Sequence, residues 1–203
     1  MRIEAAELWP FRLRLRTPLA TAMGPLASRE GVLLSLRNAD GCIGYGEATP
    51  LPAFGTETLD AARRSLEACA ASIEGADLGE PEELLGWIDR RCPPSSTARA
   101  AIDCALQDLV AREAGQSMAS WLAAKQGGSA RPTVMVSALL VSGSPVALAS
   151  EAQRAVEAGF RTLKLKVGVG PLSGDLERVA AVRGAVGPAT AIRVDANGAW
   201  CPD

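Results

Sequence analysis

Between Phe11 and Arg16, apolar and basic residues alternate one for one: Phe11, Leu13 and Leu15 against Arg12, Arg14 and Arg16. A period of two marks a strand with one wet face. A second strand is predicted over Gly31 to Arg37. It runs through Asn38-Ala39-Asp40-Gly41 into a third, Cys42 to Glu47, and an Asp-Gly between two apolar runs is a hairpin signal. The N-terminus therefore reads as a three-stranded antiparallel meander. Thr49-Pro50-Leu51-Pro52 is a rigid connector, after which the spacing predicts helices over Thr56 to Ile73 and about Glu80 to Arg90. The clearest helix follows Ser95-Ser96-Thr97. Ala98, Ala101, Ile102, Ala105, Leu106, Leu109 and Val110 form one continuous stripe, and its small alanines permit close packing.

Past Gln126-Gly127-Gly128-Ser129 the texture changes. Strands are predicted at Thr133 to Val141, Arg161 to Val167 and Ala191 to Val194, with helices at Pro145 to Ala158 and Gly174 to Val186 between them. Strictly alternating strands and helices imply a parallel α/β sheet. Internal repeats and low-complexity tracts are not evident.

Composition narrows the chemistry. The chain has 203 residues, 48% hydrophobic and 22% charged, with 21 Lys plus Arg against 23 Asp plus Glu. That is an ordinary globular balance, with no positive excess to track a phosphate backbone, so nucleic acid is not an expected partner. Histidine is absent, which removes Ser-His catalysis and His-based metal clusters together. Acid-base work must fall to Lys, Asp, Glu, Cys or Tyr. The cysteines, Cys42, Cys69, Cys92, Cys104 and Cys201, are odd in number and widely spaced, and read as reduced thiols. No signal peptide or membrane-length apolar run is evident, so a cytoplasmic location and no membrane partner are expected.

Two segments carry candidate chemistry. In Thr162-Leu163-Lys164-Leu165-Lys166-Val167, alternation puts both lysines on one strand face, roughly 6 to 7 Å apart. If that face is enclosed, mutual repulsion and desolvation lower a lysine pKa towards the range of a general base; if it is open, the pair is simply solvated. In Ile192-Arg193-Val194-Asp195-Ala196-Asn197-Gly198, a carboxylate and an amide sit just past a parallel strand, where α/β proteins build sites. Asp195 is a hard oxygen ligand suited to Mg²⁺, but the same residues also spell an Asx turn. Gly168-Val169-Gly170 lacks both phosphate-loop spacings and reads as a plain loop. Cys201 has no activating partner and reads as structural.

In this order, these pieces resemble the enolase superfamily, in its muconate-lactonizing subgroup. The resemblance rests on Gly44-Tyr45-Gly46-Glu47-Ala48-Thr49-Pro50, Ala105-Leu106-Gln107-Asp108-Leu109, Lys164-Leu165-Lys166 and Asp195-Ala196-Asn197-Gly198. Pro50-Leu51-Pro52-Ala53-Phe54 followed by Glu57-Thr58-Leu59 is most similar to the o-succinylbenzoate synthases, enzymes of menaquinone biosynthesis. N-acylamino-acid racemases, dipeptide epimerases and muconate cycloisomerases share the lysines and the aspartate.

The resemblance implies an α+β capping domain (residues 1–130) followed by an incomplete (β/α)₈ TIM-type barrel (131–203) holding about three strands. It implies a Mg²⁺-dependent carbon-oxygen lyase that performs a syn dehydration of a small-molecule carboxylate through a stabilised ene-diolate. Lys166 would abstract the α-proton, Lys164 would supply positive charge, Asp195 would bind Mg²⁺, and Asn197 would orient substrate. The loops Thr21 to Ser28 and Pro50 to Thr56 would shape specificity. The alternative within the superfamily is a racemase or epimerase. The alternative of another class is an inactive fragment, or one half of a split protein that pairs with a complementary C-terminal chain; a homo-oligomer is the other partner arrangement expected. A barrel typically takes about 250 residues, so these 203 residues alone are expected to be inactive.

Overall fold

The computed structural model describes residues 1–21, 23–76, 86, 90, 94–168 and 170–200. The helix expected over Glu80 to Arg90 falls almost wholly outside these residues, as does Cys201. The chain divides into two compact units, Met1–Pro18 with Ala27–Arg131, and Leu19–Leu26 with Pro132–Asp203.

The first unit carries most of a three-stranded sheet in the order β1 (Ile3–Thr21), β2 (Gly24–Asn38), β3 (Ile43–Ala48), the end of β1 from Leu19 and the start of β2 up to Leu26 belonging to the second unit. β2 and β3 pair antiparallel from Val32 opposite Ala48 to Arg37 opposite Ile43. The Asp40-Gly41 turn closes as the sequence predicts. Gly41 takes φ 81°, its N–H donates to the Asn38 carbonyl, and the Asn38 side chain accepts from the Cys42 N–H at 2.9 Å. Along β2, Val32, Leu34 and Leu36 point into the core.

Helix α1 (Leu59–Ile73) begins two residues later than Thr56-based capping would place it, because Thr58 is the N-cap and its hydroxyl accepts from the Ala61 N–H at 3.2 Å. Helix α2 (Ser96–Glu113) is capped by Ser95 and buries the expected stripe from Ala98 to Leu109, while Val110 stays half-buried. The short helix α3 (Met118–Lys125) has no buried residue, and so offers no apolar stripe for periodicity to detect.

β3 lies directly on α2. A Cβ on Gly44 would meet the Ala105 carbonyl, and one on Gly46 the Ala101 carbonyl, far inside any real contact distance. The Gly-Tyr-Gly segment and the alanine stripe are thus two halves of one contact, strand backbone against helix backbone. Cys69, on the buried side of α1, is disulfide-bonded, which corrects the expectation of five reduced thiols.

The second unit is a parallel sheet in the order β4 (Ser137–Leu140), β5 (Thr162–Lys166), β6 (Ala191–Asp195). Helix α4 (Pro145–Glu157) connects the first pair and α5 (Leu172–Val186) the second. β4 is shorter than the Thr133 to Val141 run predicts. Its pairing begins with Ser137 opposite Thr162, the first residue of β5, so Val134, Met135 and Val136 lie beyond their partner strand and stay exposed. Leu140, Leu163, Leu165 and Val167 pack with Leu148, Ala152 and Val182 of the helices to form a separate core. The architecture is an α+β N-terminal domain followed by part of a parallel strand-helix barrel. Among the described residues, no helix is long and apolar enough to cross a membrane.

Candidate functional site

Alternation along β5 works as the sequence predicts: Leu163 and Leu165 are fully buried against the helices, and Lys164 and Lys166 project from the other face. Register with β6 places Lys164 opposite Arg193, and Lys166 opposite Asp195. The charge pair that forms is nevertheless diagonal. Lys164 Nζ lies 2.7 Å from Asp195 Oδ2, with both side chains half-buried. The other carboxylate oxygen, Oδ1, accepts from the Asn197 backbone N–H at 2.9 Å, closing an Asx turn in which Asn197 adopts φ 49°. The Asx-turn role of Asp195 thus falls on Oδ1, while Oδ2 is engaged by Lys164. The Lys164 hydrogen bond, then the Asn197 N–H, and then the charges of Lys164 and Lys166 outweigh desolvation and hold the Asp195 carboxyl below its ordinary value.

Lys166 behaves differently from its neighbour. Among the described residues it makes no ion pair within 4.0 Å, and it lines a cavity of about 540 Å³ together with Asn197, Arg178, Gly168, Thr21 and the 141–143 loop. The structure thus brings Lys166 and Asn197 to one cavity wall and sets Lys164 and Asp195 beside it as a neutralised pair. Thr21 belongs to the loop expected to shape specificity. The Pro50 to Thr56 loop lines another depression, in the first unit, with Ser28, Arg29 and Glu30.

Three residues near the cavity are not singled out by the sequence. Glu151 of α4 accepts the N–H groups of Val141 and Ser142, at 3.1 and 2.9 Å, and so ties down the loop after β4. Asp175 of α5 accepts from the Gly168 N–H at 2.7 Å, and Arg178 donates to the Lys166 carbonyl at 3.0 Å, tying down the end of β5. For Asp175 the only signal in the sequence was its place in the first turn of α5, which reads equally well as a solvated group near a helix N-terminus, and Glu151, further into α4, lacks even that. Of the free thiols, burial, then Asp103 and Asp108, push Cys104 upward, which opposes a nucleophilic role.

Asp195 is a hard donor at a strand end and fits one position of a Mg²⁺ shell. No group of three His, Cys, Asp or Glu side chains able to hold a metal occurs among the described residues.

An α+β domain followed by a parallel strand-helix sheet, with Lys164, Lys166 and Asp195 towards the ends of its strands, places the chain in the class of two-part folds that join an α+β domain to a strand-helix barrel. The chain belongs to the mandelate racemase/muconate lactonizing enzyme family: the N-terminal domain model of that family matches residues 5–122, and the enolase C-terminal domain-like model matches 147–203. It is 30% identical over 202 residues to a hydrophobic dipeptide epimerase of Enterococcus faecalis. Against an L-Ala-D/L-Glu epimerase of Bacillus subtilis it is 28% identical over 203 residues, and against muconate cycloisomerase 1 of Pseudomonas putida 30% over 190. These alignments cover 100%, 100% and 92% of this chain and 55%, 54% and 50% of the relatives, so the chain spans about half the length of the curated proteins it matches. The crystal structure of the E. faecalis dipeptide epimerase complexed with Mg and the dipeptide L-Leu-L-Tyr superposes with a TM-score of 0.88, covering 98% of this chain and 55% of that one.

Proposed function

We propose that the whole protein removes and returns the proton α to a carboxylate, epimerising a dipeptide or an N-acylated amino acid. The observation that carries this reading is Lys166, a lysine without an ion-pair partner among the described residues, at a strand end on a cavity wall, next to a lysine already neutralised by Asp195. Lys166 is left to face the cavity, and Lys164 instead holds Asp195 in place. Asp195 would provide one ligand to Mg²⁺, Asn197 would orient the substrate from the same wall, and Thr21 and the 141–143 loop would bound it. Bound Mg²⁺ would supply Lewis-acid stabilisation where negative charge gathers on the substrate carboxylate. Residues 1–130 serve as the capping domain in this reading, and 131–203 as the first part of the barrel.

Epimerisation is preferred over the dehydration that the o-succinylbenzoate synthase resemblance implies. Dipeptide epimerases stand among the relatives of this chain, and the segment behind that resemblance has a local structural role, since Glu57 and Thr58 tie down the starts of α2 and α1. Both reactions begin with the same proton abstraction. Incubating the whole protein with Mg²⁺ and a panel of dipeptides and N-succinyl amino acids in deuterated water separates them. Epimerisation places deuterium at the α-carbon of recovered material without loss of water. Because inversion removes a proton from one face and returns one to the other, a group other than Lys166 must serve the opposite face, and Lys166→Ala abolishes exchange only from the epimer whose α-proton faces Lys166. Dehydration of a cyclohexadiene carboxylate without α-exchange in any dipeptide would reverse the assignment, and unchanged turnover in Lys166→Ala would remove Lys166 as the base.

A further inference from the structure

We propose that Asp175 and Arg178 are positioning residues for Lys166, a clamp that fixes the direction in which the base leaves the end of β5. The inference rests on Lys166 being the base. The two side chains lie one turn apart on α5, and their hydrogen bonds bracket Val167. Arg178 Nη1 donates to the Lys166 carbonyl at 3.0 Å and to Asp175 Oδ1 at 3.2 Å, while Asp175 Oδ2 accepts from the Gly168 N–H at 2.7 Å. One carboxylate and one guanidinium nitrogen thus hold both ends of the peptide segment that ends the strand. On its other edge, the Val167 N–H donates to the Asp195 carbonyl at 3.0 Å, so the segment is gripped from both sides.

The cost of this arrangement points to a purpose other than simple stability. Asp175 is 5% exposed, and the Arg178 Nε is buried without a hydrogen-bond partner. A buried ion pair gains little over apolar packing, and an unpaired buried N–H is a net penalty. Gly168 follows at φ 82°, where the chain turns sharply away, so the peptide between Lys166 and Val167 is held on one edge by its N–H bond to the Asp195 carbonyl and on the other by Arg178 on its carbonyl. Rotation of that carbonyl turns the Lys166 Cα–Cβ bond, and over the length of a lysine side chain a small rotation becomes a displacement of about 1 Å at Nζ. Misplacement on that scale can cost roughly 100-fold in rate.

The test uses the whole protein with Mg²⁺ and both epimers of each dipeptide and N-succinyl amino acid in the panel. α-Proton exchange into substrate is measured for wild type, Arg178→Met and Arg178→Lys. Because a single nitrogen of Arg178 makes both contacts, a lysine ammonium can replace it. Arg178→Met is expected to slow exchange from the epimer served by Lys166 by roughly 10- to 100-fold, to leave the other epimer within about threefold, and to be rescued by Arg178→Lys. A purely structural role would lower both epimers together, and equal loss, or no loss, in Arg178→Met overturns the clamp. A second measurement needs no substrate. In Arg178→Met, amide hydrogen exchange of the 166–168 segment should accelerate while that of Leu140 and Leu163 is unchanged; unaltered protection of 166–168 also overturns the proposal. Wild-type protein that exchanges no probe sinks the proton-transfer reading itself, and the hydrogen-exchange result then decides the clamp on its own.

Discussion

Glu57 immediately precedes the Thr58 cap of α1, and its carboxylate collects the start of α2. It accepts from the hydroxyls of Ser95, Ser96 and Thr97 at 2.6, 2.9 and 2.5 Å, and from the Thr97 N–H at 2.9 Å. Burial alone would raise this carboxyl, but the hydrogen bonds from Ser95 and Thr97 prevail and bring it down to about 2. A carboxyl depressed in the folded state stabilises fully above its ordinary value, here 4.5, and loses that contribution as the pH falls towards about 2. Because Glu57 is only half-buried, solvent screening reduces the effect to roughly 1 to 2 kcal/mol. Glu57→Gln should therefore lower urea stability by about that much at pH 7, and the gap to wild type should narrow from about pH 5 downward and close only as the pH approaches about 2. A gap that stays constant over this range would show that the charge is not what holds α2.

At the scale of elements, the contact between β3 and α2 is the least forgiving in the described fold. A Cβ at Gly46 would overlap the Ala101 carbonyl oxygen, which is backbone and cannot rotate aside. Overpacking usually costs about 1 to 3 kcal/mol, and a clash with helix backbone belongs at or above the top of that range, so Gly46→Ala should cost at least about 3 kcal/mol. Thermal unfolding followed by circular dichroism checks this. A melting temperature within about 2 °C of wild type would mean that strand and helix can separate cheaply. The second unit uses another device twice. After β4 and again after β5, an acidic side chain of the following helix, Glu151 or Asp175, captures the N–H groups of the strand-end loop. These loops border the cavity, so the helices that cover one face of the sheet also shape what happens at its end.

At the scale of the whole molecule, two separate cores support the two units, and the chemistry gathers in the second. Asp195 is the carboxylate at the candidate metal position, and one of its oxygens is held by Lys164. A single carboxylate is a weak Mg²⁺ site. The 203-residue chain is expected to bind Mg²⁺ no tighter than about millimolar, since such sites depend on further carboxylates, substrate and water. Isothermal titration calorimetry decides this, and stoichiometric binding in the micromolar range would require a ligand set that the described residues do not provide.

Much of this was legible in the sequence because it depends on short-range geometry. Alternation around Leu163 and Leu165 placed Lys164 and Lys166 on one face, and 3.6-residue spacing marked the buried stripe of α2, because both periods belong to the local backbone. Other features depend on which segments meet. β4 begins where its partner begins, and no property of Val134 to Val136 announces that. Lys164 rather than Lys166 neutralises Asp195 because β5 and β6 pair in one register and the longer diagonal reach is the one that closes. Arg178 and Asp175 look in sequence like ordinary charges on an exposed helix, and only the packing of α5 against β5 buries Asp175 and half-buries Arg178 beside the end of the strand. Thus the residue types able to move a proton were already determined by the sequence, whereas the tertiary structure decided which lysine is left without an ion pair among the described residues, since pairing and burial are set by contacts between strands and helices far apart along the chain.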